Sequence, residues 1–108
     1  ASMGAWTAVK NTKQIIAVAG DGGLGQYLGE ITTLVKYNMP VKLIVLNNNE
    51  LGKISKEQVA GDFKVWETDL VNPDFADYAD LCGAKGFKVS KNEELESNMA
   101  APFAHEGP

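Results

Sequence analysis

The chain has 108 residues, 44% of them hydrophobic, and a formal net charge of -4. That length builds one domain with a modest core. The acidic balance argues against a nucleic-acid surface, and no apolar run approaches the length of a membrane span.

Ala1-Ser2-Met3 reads as an appended remnant rather than as structure, and no signal peptide is seen. Ala5 to Lys10 reads as what is left of a helix. Ile15-Ile16-Ala17-Val18-Ala19 is a short unbroken apolar run. It predicts a strand buried on both faces of a parallel sheet. The glycine loop Gly20-Asp21-Gly22 follows. From Gly25 to Tyr37 the period is helical, with Leu28, Ile31, Leu34 and Val35 on one stripe. Asn38 suits a left-handed stop, and Pro40 prevents continuation. Val41 to Leu46 is a second strand, which runs into Asn47-Asn48-Asn49. Strand, helix and strand fill about thirty residues, the size of a βαβ unit. Such a crossover is right-handed and sets the two strands parallel.

The remainder continues the α/β alternation. Ser55-Lys56-Glu57-Gln58 reads as a capping box opening a short helix. Gly61 to Val71 is irregular, with Trp66 as its expected anchor. Asn72-Pro73 reads as an N-cap and first-turn proline of a helix through Phe75, Tyr78, Ala79 and Leu81. Gly83 closes that helix. Phe87-Lys88-Val89 is expected as a third strand. Ser90 with Glu93 reads as another capping box, ahead of a sparse stripe of Leu95, Met99 and Phe103. There is no repeat, low-complexity tract or linker.

Cys82 is the only cysteine, so no internal disulfide forms, and the count fits a reducing, cytoplasmic compartment. It falls at a helix end and reads as packing. His105, the only histidine, reads as a surface residue. Neither a Ser-His-Asp nor a zinc-histidine arrangement has a basis here.

The chemistry concentrates at the two strand ends. A glycine loop of this kind cradles phosphate, but this one carries its own carboxylate, Asp21. A carboxylate about 5 Å from a phosphate is repelled by roughly 3 kcal/mol per charge pair at an effective dielectric near 20. A metal ion between them reverses the sign. Magnesium takes oxygen ligands and readily shares them with phosphate. The asparagine run would supply neutral oxygens from the next strand, about 4.8 Å away. Ligands of open α/β sheets bind in that crevice. The rival reading is the G-x-G-x-x-G dinucleotide fingerprint, spelled by Gly20 to Gly25. It wants an acid about twenty positions on, at the end of the next strand. The second strand ends in Leu46 and asparagines instead, and Glu50 lies beyond it. A bland turn and loop is the remaining alternative.

The pair Gly-Asp-Gly and Asn-Asn resembles the signature of thiamine diphosphate-dependent enzymes. The stretch GDGGLGQYLGEITTLVKYNMPVKLIVLNNNELGKISKEQ is similar to the pyruvate oxidase and acetolactate synthase branch. The resemblance runs from about Gly4 to the end. It implies a three-layer α/β sandwich with a parallel sheet, truncated here, which binds the cofactor's diphosphate. It implies magnesium ligands at Asp21, Asn48 and the backbone carbonyl of Glu50. Asn48 is preferred within the run because Leu51-Gly52 then falls on the family's hydrophobe-glycine pair. Gly20, Gly22 and Gly23 would line the diphosphate, and Ile54 would approach the thiazolium ring. Glu57 matches a polar position near the active-site mouth of related oxidases, with an ordinary first-turn helix acid as the alternative.

The same resemblance implies a parent enzyme several times longer. That enzyme decarboxylates a 2-keto acid such as pyruvate and passes the product to a second keto acid, a flavin (FAD) or a proton. The activating glutamate belongs to a separate pyrimidine-binding domain, commonly of the partner subunit in a homo-oligomer. The chain is therefore expected to be an excised, inactive fragment spanning 1–108. Two alternatives remain at this level, a dinucleotide-binding oxidoreductase domain and a non-catalytic interaction domain of the same fold.

Overall fold

The computed structural model describes residues 1–10 and 12–108. In chain order the elements are α1 (Ser2–Val9), β1 (Ile16–Gly20), α2 (Asp21–Gly25), α3 (Glu30–Lys36), β2 (Lys42–Leu46), α4 (Gly52–Ala60), α5 (Phe75–Leu81) and α6 (Asn92–Ala104). The class is α/β with a parallel sheet, as expected. β1 and β2 pair in register from Ile16 opposite Lys42 to Gly20 opposite Leu46.

Alternation along the strands divides the sheet into two faces. Ala17 and Ile15 pack, with Met3 and Trp6 of α1, against a buried cluster of Leu34, Met39 and Val41. Met3 is thus part of the folded domain rather than a detached remnant. The opposite face carries Ile16 and Val18, the latter 63% exposed, so β1 is buried on one face and not on two. The expected double burial needs helices on both sides, and α1 and α3 cover only one. Lys42 lies on the open face yet is buried. The C-terminal segment covers it, and its Nζ donates to the carbonyls of His105 and Gly107, each at 2.6 Å. Burial pushes the Lys42 ammonium pKa down.

Two helix ends follow one rule. Asn38, at φ 45°, and Gly83, at φ 86°, both take the left-handed conformation just past a helix. In each, the next N–H reaches back to the last full turn, Met39 to the Leu34 carbonyl at 2.9 Å and Ala84 to the Ala79 carbonyl at 3.0 Å. This is the Schellman ending, which satisfies carbonyls the helix leaves unpaired.

Several local expectations are corrected. The helix read from Gly25 to Tyr37 is two helices joined through Gln26–Gly29. Tyr27, Glu30 and Ile31 bond the carbonyls of Leu24, Tyr27 and Leu28, three residues back in each case. Gly25 and Gly29 border the break, and each costs about 1 kcal/mol in a helix interior. α4 starts at Gly52 rather than at Ser55, which lies inside it and is buried. The N-cap of α5 is Asp74, which accepts from the N–H groups of Ala76 and Asp77. Asn72 is engaged elsewhere. α6 begins after Lys91 without a side-chain cap. Trp66 is 70% exposed and anchors nothing by burial. Its backbone is held instead by both ends of the Gln58 amide, at 3.0 and 3.1 Å.

Among the described residues the sheet has two strands. Phe87 to Val89 does not join it. A groove of about 1030 Å³ separates that segment from β2. Ile44, Leu46, Ala79, Leu95, Met99 and Phe103 are on its walls. Cys82 caps α5 and is partly buried, and His105 is exposed with its ring edge-on to Phe87.

Candidate functional site

The register of the sheet builds the site. Gly20 stands opposite Leu46, so Asp21 and Asn47 leave the carboxyl ends of adjacent strands side by side. A returning stretch of backbone then closes on the asparagine loop. Glu50 and Asp69 form an antiparallel bridge. The Leu51 N–H donates to the Thr68 carbonyl and the Leu70 N–H to the Asn49 carbonyl, both at 2.8 Å. This pairing carries the chain from Thr68 to Asn72 back over the strand ends.

Asp21 opens α2, directly after the extended Gly20, and is buried at 3% exposure. A carboxylate at a helix start faces the positive end of the helix dipole. The Asn72 Nδ2 donates to Asp21 Oδ2 at 2.7 Å. The same nitrogen lies 3.1 Å from Asn47 Oδ1 and 3.2 Å from Asn49 Oδ1. Three oxygens from two loops therefore converge on one atom. Asn47 Oδ1 also accepts the Asn49 N–H at 3.1 Å, which turns the loop where Asn49 sits at φ 55°.

Asn48 is engaged differently. Its Oδ1 accepts the Glu50 N–H at 3.2 Å, and its amide lies over Gly52, where an added Cβ would meet Nδ2 at 3.0 Å. The structure brings Asn47 and Asn49 to Asp21 through Asn72, and leaves Asn48 in its own turn. Gly22 packs under Leu51 and Leu70, while Gly20 and Gly23 are open above their Cα atoms. Leu51 and Ile54 are exposed, at the start of α4. Glu57 is an exposed helix residue beside Lys53, one turn earlier, at 3.8 Å.

Below the asparagine loop lies a buried polar group that the sequence does not announce. Ser55 Oγ hydrogen-bonds the Glu50 carboxylate and Thr68 Oγ1, the latter at 2.9 Å. Thr68 is 2% exposed. These contacts tie the loop to α4 and to the returning segment. Asn72 is likewise invisible to local reading, because the pair Asn72-Pro73 has the appearance of a helix start. The local signal for the cap is Asp74 itself, with Asp77 three residues on.

The donor set is one carboxylate and asparagine oxygens. This suits a hard cation such as magnesium, which takes oxygen ligands and keeps positions for phosphate. No cluster of three or more histidine, cysteine or acidic side chains that could hold a metal ion occurs among the described residues.

A small parallel α/β domain with an oxygen-rich crevice past its strand ends belongs to the class of open α/β folds, whose ligands bind in that crevice. Comparison with known proteins makes the class specific. Residues 1–108 match the family model described as thiamine pyrophosphate enzyme, C-terminal TPP binding domain, and the chain belongs to that family. It is 33% identical over its full length to the mitochondrial acetolactate synthase catalytic subunit of Saccharomyces cerevisiae. It is 32% identical, again over its full length, to the acetolactate synthase large subunit of Parasynechococcus marenigrum. The Bacillus subtilis protein YdaP, whose name assigns it thiamine pyrophosphate provisionally, is 45% identical across 87% of this chain. The chain spans 16%, 18% and 16% of the lengths of those three relatives. In fold it is similar to a thiamine diphosphate-dependent 4-hydroxybenzoylformate decarboxylase of Rhodococcus jostii RHA1. The TM-score is 0.86 at 24% identity, over 99% of this chain and 20% of that one. The dinucleotide reading of Gly20 to Gly25 is thereby replaced. No described helix is long and apolar enough to cross a membrane.

Proposed function

We propose that the chain holds the diphosphate of thiamine diphosphate through a magnesium ion, as one domain of an enzyme that decarboxylates a 2-keto acid such as pyruvate. The observation that carries this reading is the convergence of Asp21 with asparagine oxygens at adjacent strand ends. Asp21 is the charged ligand. The loop from Asn47 to Glu50 supplies neutral oxygens, with Asn48 and the Glu50 carbonyl favoured by the family resemblance. Gly20 and Gly23 leave room for the diphosphate, Gly22 fits beneath Leu51, Leu51 and Gly52 shape the loop, and Ile54 faces the ring. The cofactor supplies the electron sink for decarboxylation, and the protein binds and orients it.

The activating glutamate lies on a pyrimidine-binding domain outside this chain. The working enzyme is a cytoplasmic homo-oligomer, and FAD is an optional companion of the parent fold. The whole chain, residues 1–108, is diphosphate-binding domain. The acetolactate synthase relatives favour a second keto acid as acceptor. In the full-length enzyme, Asp21→Ala should abolish magnesium-dependent binding of thiamine diphosphate, read by calorimetry. Unchanged affinity would refute the metal assignment. The isolated chain should not turn over pyruvate with cofactor and magnesium, because general acid-base help of the missing kind is worth about 10²–10⁴-fold. Turnover by the isolated chain would make Glu57 the first suspect.

A further inference from the structure

We propose that the Asn72 carboxamide is a resident stand-in for the cation, which holds the Asp21 carboxylate when no metal is bound and must withdraw when one binds. The inference rests on the magnesium reading above and adds a residue to it.

The Nδ2 atom of Asn72 sits 2.7, 3.1 and 3.2 Å from oxygens of Asp21, Asn47 and Asn49. An amide nitrogen carries two hydrogens, so three acceptors share them. The arrangement is that of a weak, neutral cation substitute. It satisfies a carboxylate that is 97% buried, which would otherwise carry its charge without a partner. Magnesium requires its oxygens at about 2.1 Å. An ion seated centrally among these three oxygens takes the position that the nitrogen now holds. The two therefore compete for Asp21. Withdrawal of Asn72 also releases Asn47 and Asn49, and leaves the loop able to turn Asn48 inward once its bond to the Glu50 N–H opens.

Asn72 is well placed to move. It precedes Pro73 and the N-cap Asp74, and it follows the backbone pairing that ends at Leu70. It is thus a short connector between a fixed ladder and a fixed helix.

Competition predicts a direction that simple support of the loop does not. In the full chain, Asn72→Ala and Asn72→Ser should bind Mg²⁺ about tenfold more tightly, the worth of a hydrogen bond to a charged group. Calorimetric titration with Mg²⁺, alone and with inorganic diphosphate, reads the affinity, and circular dichroism verifies the fold of each variant. Equal or weaker binding by a folded variant overturns the proposal. A second readout uses the unmodified protein and needs no variant to fold. In ¹⁵N-labelled protein the Asn72 side-chain NH₂ pair should shift strongly as Mg²⁺ saturates, at the ion concentration that titrates Asp21. An Asn72 pair that stays unmoved at saturation overturns the proposal. No Mg²⁺ binding by wild-type protein, with Asp21→Asn identical to it, overturns the magnesium reading itself and this inference with it.

Discussion

Gly22 and Leu51 interlock. A Cβ built on Gly22 would lie 2.6 Å from Leu51 Cδ2, and 3.2 Å from Leu70 Cδ1. The first turn of α2, just after β1, is therefore packed directly beneath Leu51, which follows the asparagine loop. The two halves of the site, 29 positions apart by number from Gly22 to Leu51, are fitted to one another by a missing side chain. Gly22 is needed for close approach, since its φ is not in the left-handed region.

Gly22→Ala should cost about 1–3 kcal/mol, the usual penalty for one extra carbon in a packed site. The obstructing atom is the end of a flexible side chain, so Leu51→Ala in the same background should return most of the loss. A double-mutant cycle in urea measures the coupling. Additive effects would show that the two loops do not share the contact.

The Glu50, Ser55 and Thr68 group should behave as one unit. Ser55 has a single hydroxyl hydrogen, and an ionised carboxylate only accepts, so Ser55 donates to Glu50 and takes the Thr68 hydrogen. Thr68→Val keeps the shape and leaves the buried Ser55 oxygen short of a donor. Ser55→Ala removes the donor to Glu50. Each should destabilise by about 1–3 kcal/mol, and the double variant by less than the sum. Urea unfolding at neutral pH measures this. A neutral Thr68→Val would mean that the hydroxyl pair carries no net stability.

Acid should weaken the start of α5. Asp74 Oδ2 accepts from Lys88 Nζ at 2.5 Å, while Oδ1 accepts from the Ala76 and Asp77 N–H groups at 3.0 and 3.2 Å. The Lys88 hydrogen bond first, and the backbone donors after it, hold the Asp74 pKa below the usual carboxylate range. Asp80 is lowered too, chiefly by the Gly86 N–H. An unfolded Asp titrates near about 3.9. Below that value the unfolded chain binds protons that the folded one does not. The stabilisation is thus present above the unfolded pKa and lost as pH falls through the lower, folded pKa. Asp74→Asn keeps an acceptor at the cap but removes the charge. Its urea midpoint should fall less steeply with acidification than that of wild type. Identical slopes would exclude the Asp74 and Lys88 pair as a source of the acid limb.

Much of the framework was legible because it is written in short-range chemistry. The apolar runs marked β1 and β2, Asn38 and Gly83 marked left-handed helix ends, and the pair of Asp21 and an asparagine loop marked the crevice. Each depends on residues within a turn or two of one another, or on the fixed geometry of a parallel crossover. Proximity in sequence also misled. Two glycines, Gly25 and Gly29, border a break in a helix whose apolar stripe looked continuous. Asn72-Pro73 had the form of a helix start, and Ser55-Lys56-Glu57-Gln58 the form of a capping box. In each case a partner distant in sequence, or backbone entropy, outweighed the local preference.

Amino-acid order alone determined the class, the two strands and the carboxylate just past the first of them, since period, turn residues and an acid among glycines are local properties. Tertiary structure alone decided which face of β1 is covered, that Phe87 to Val89 stays out of the sheet, and that Asn72 reaches Asp21 from 51 residues away. A carboxamide can cap a helix, turn a loop or hold a carboxylate with the same atoms. Which it does is set by the acceptors that packing brings within about 3 Å, and only the folded chain fixes those.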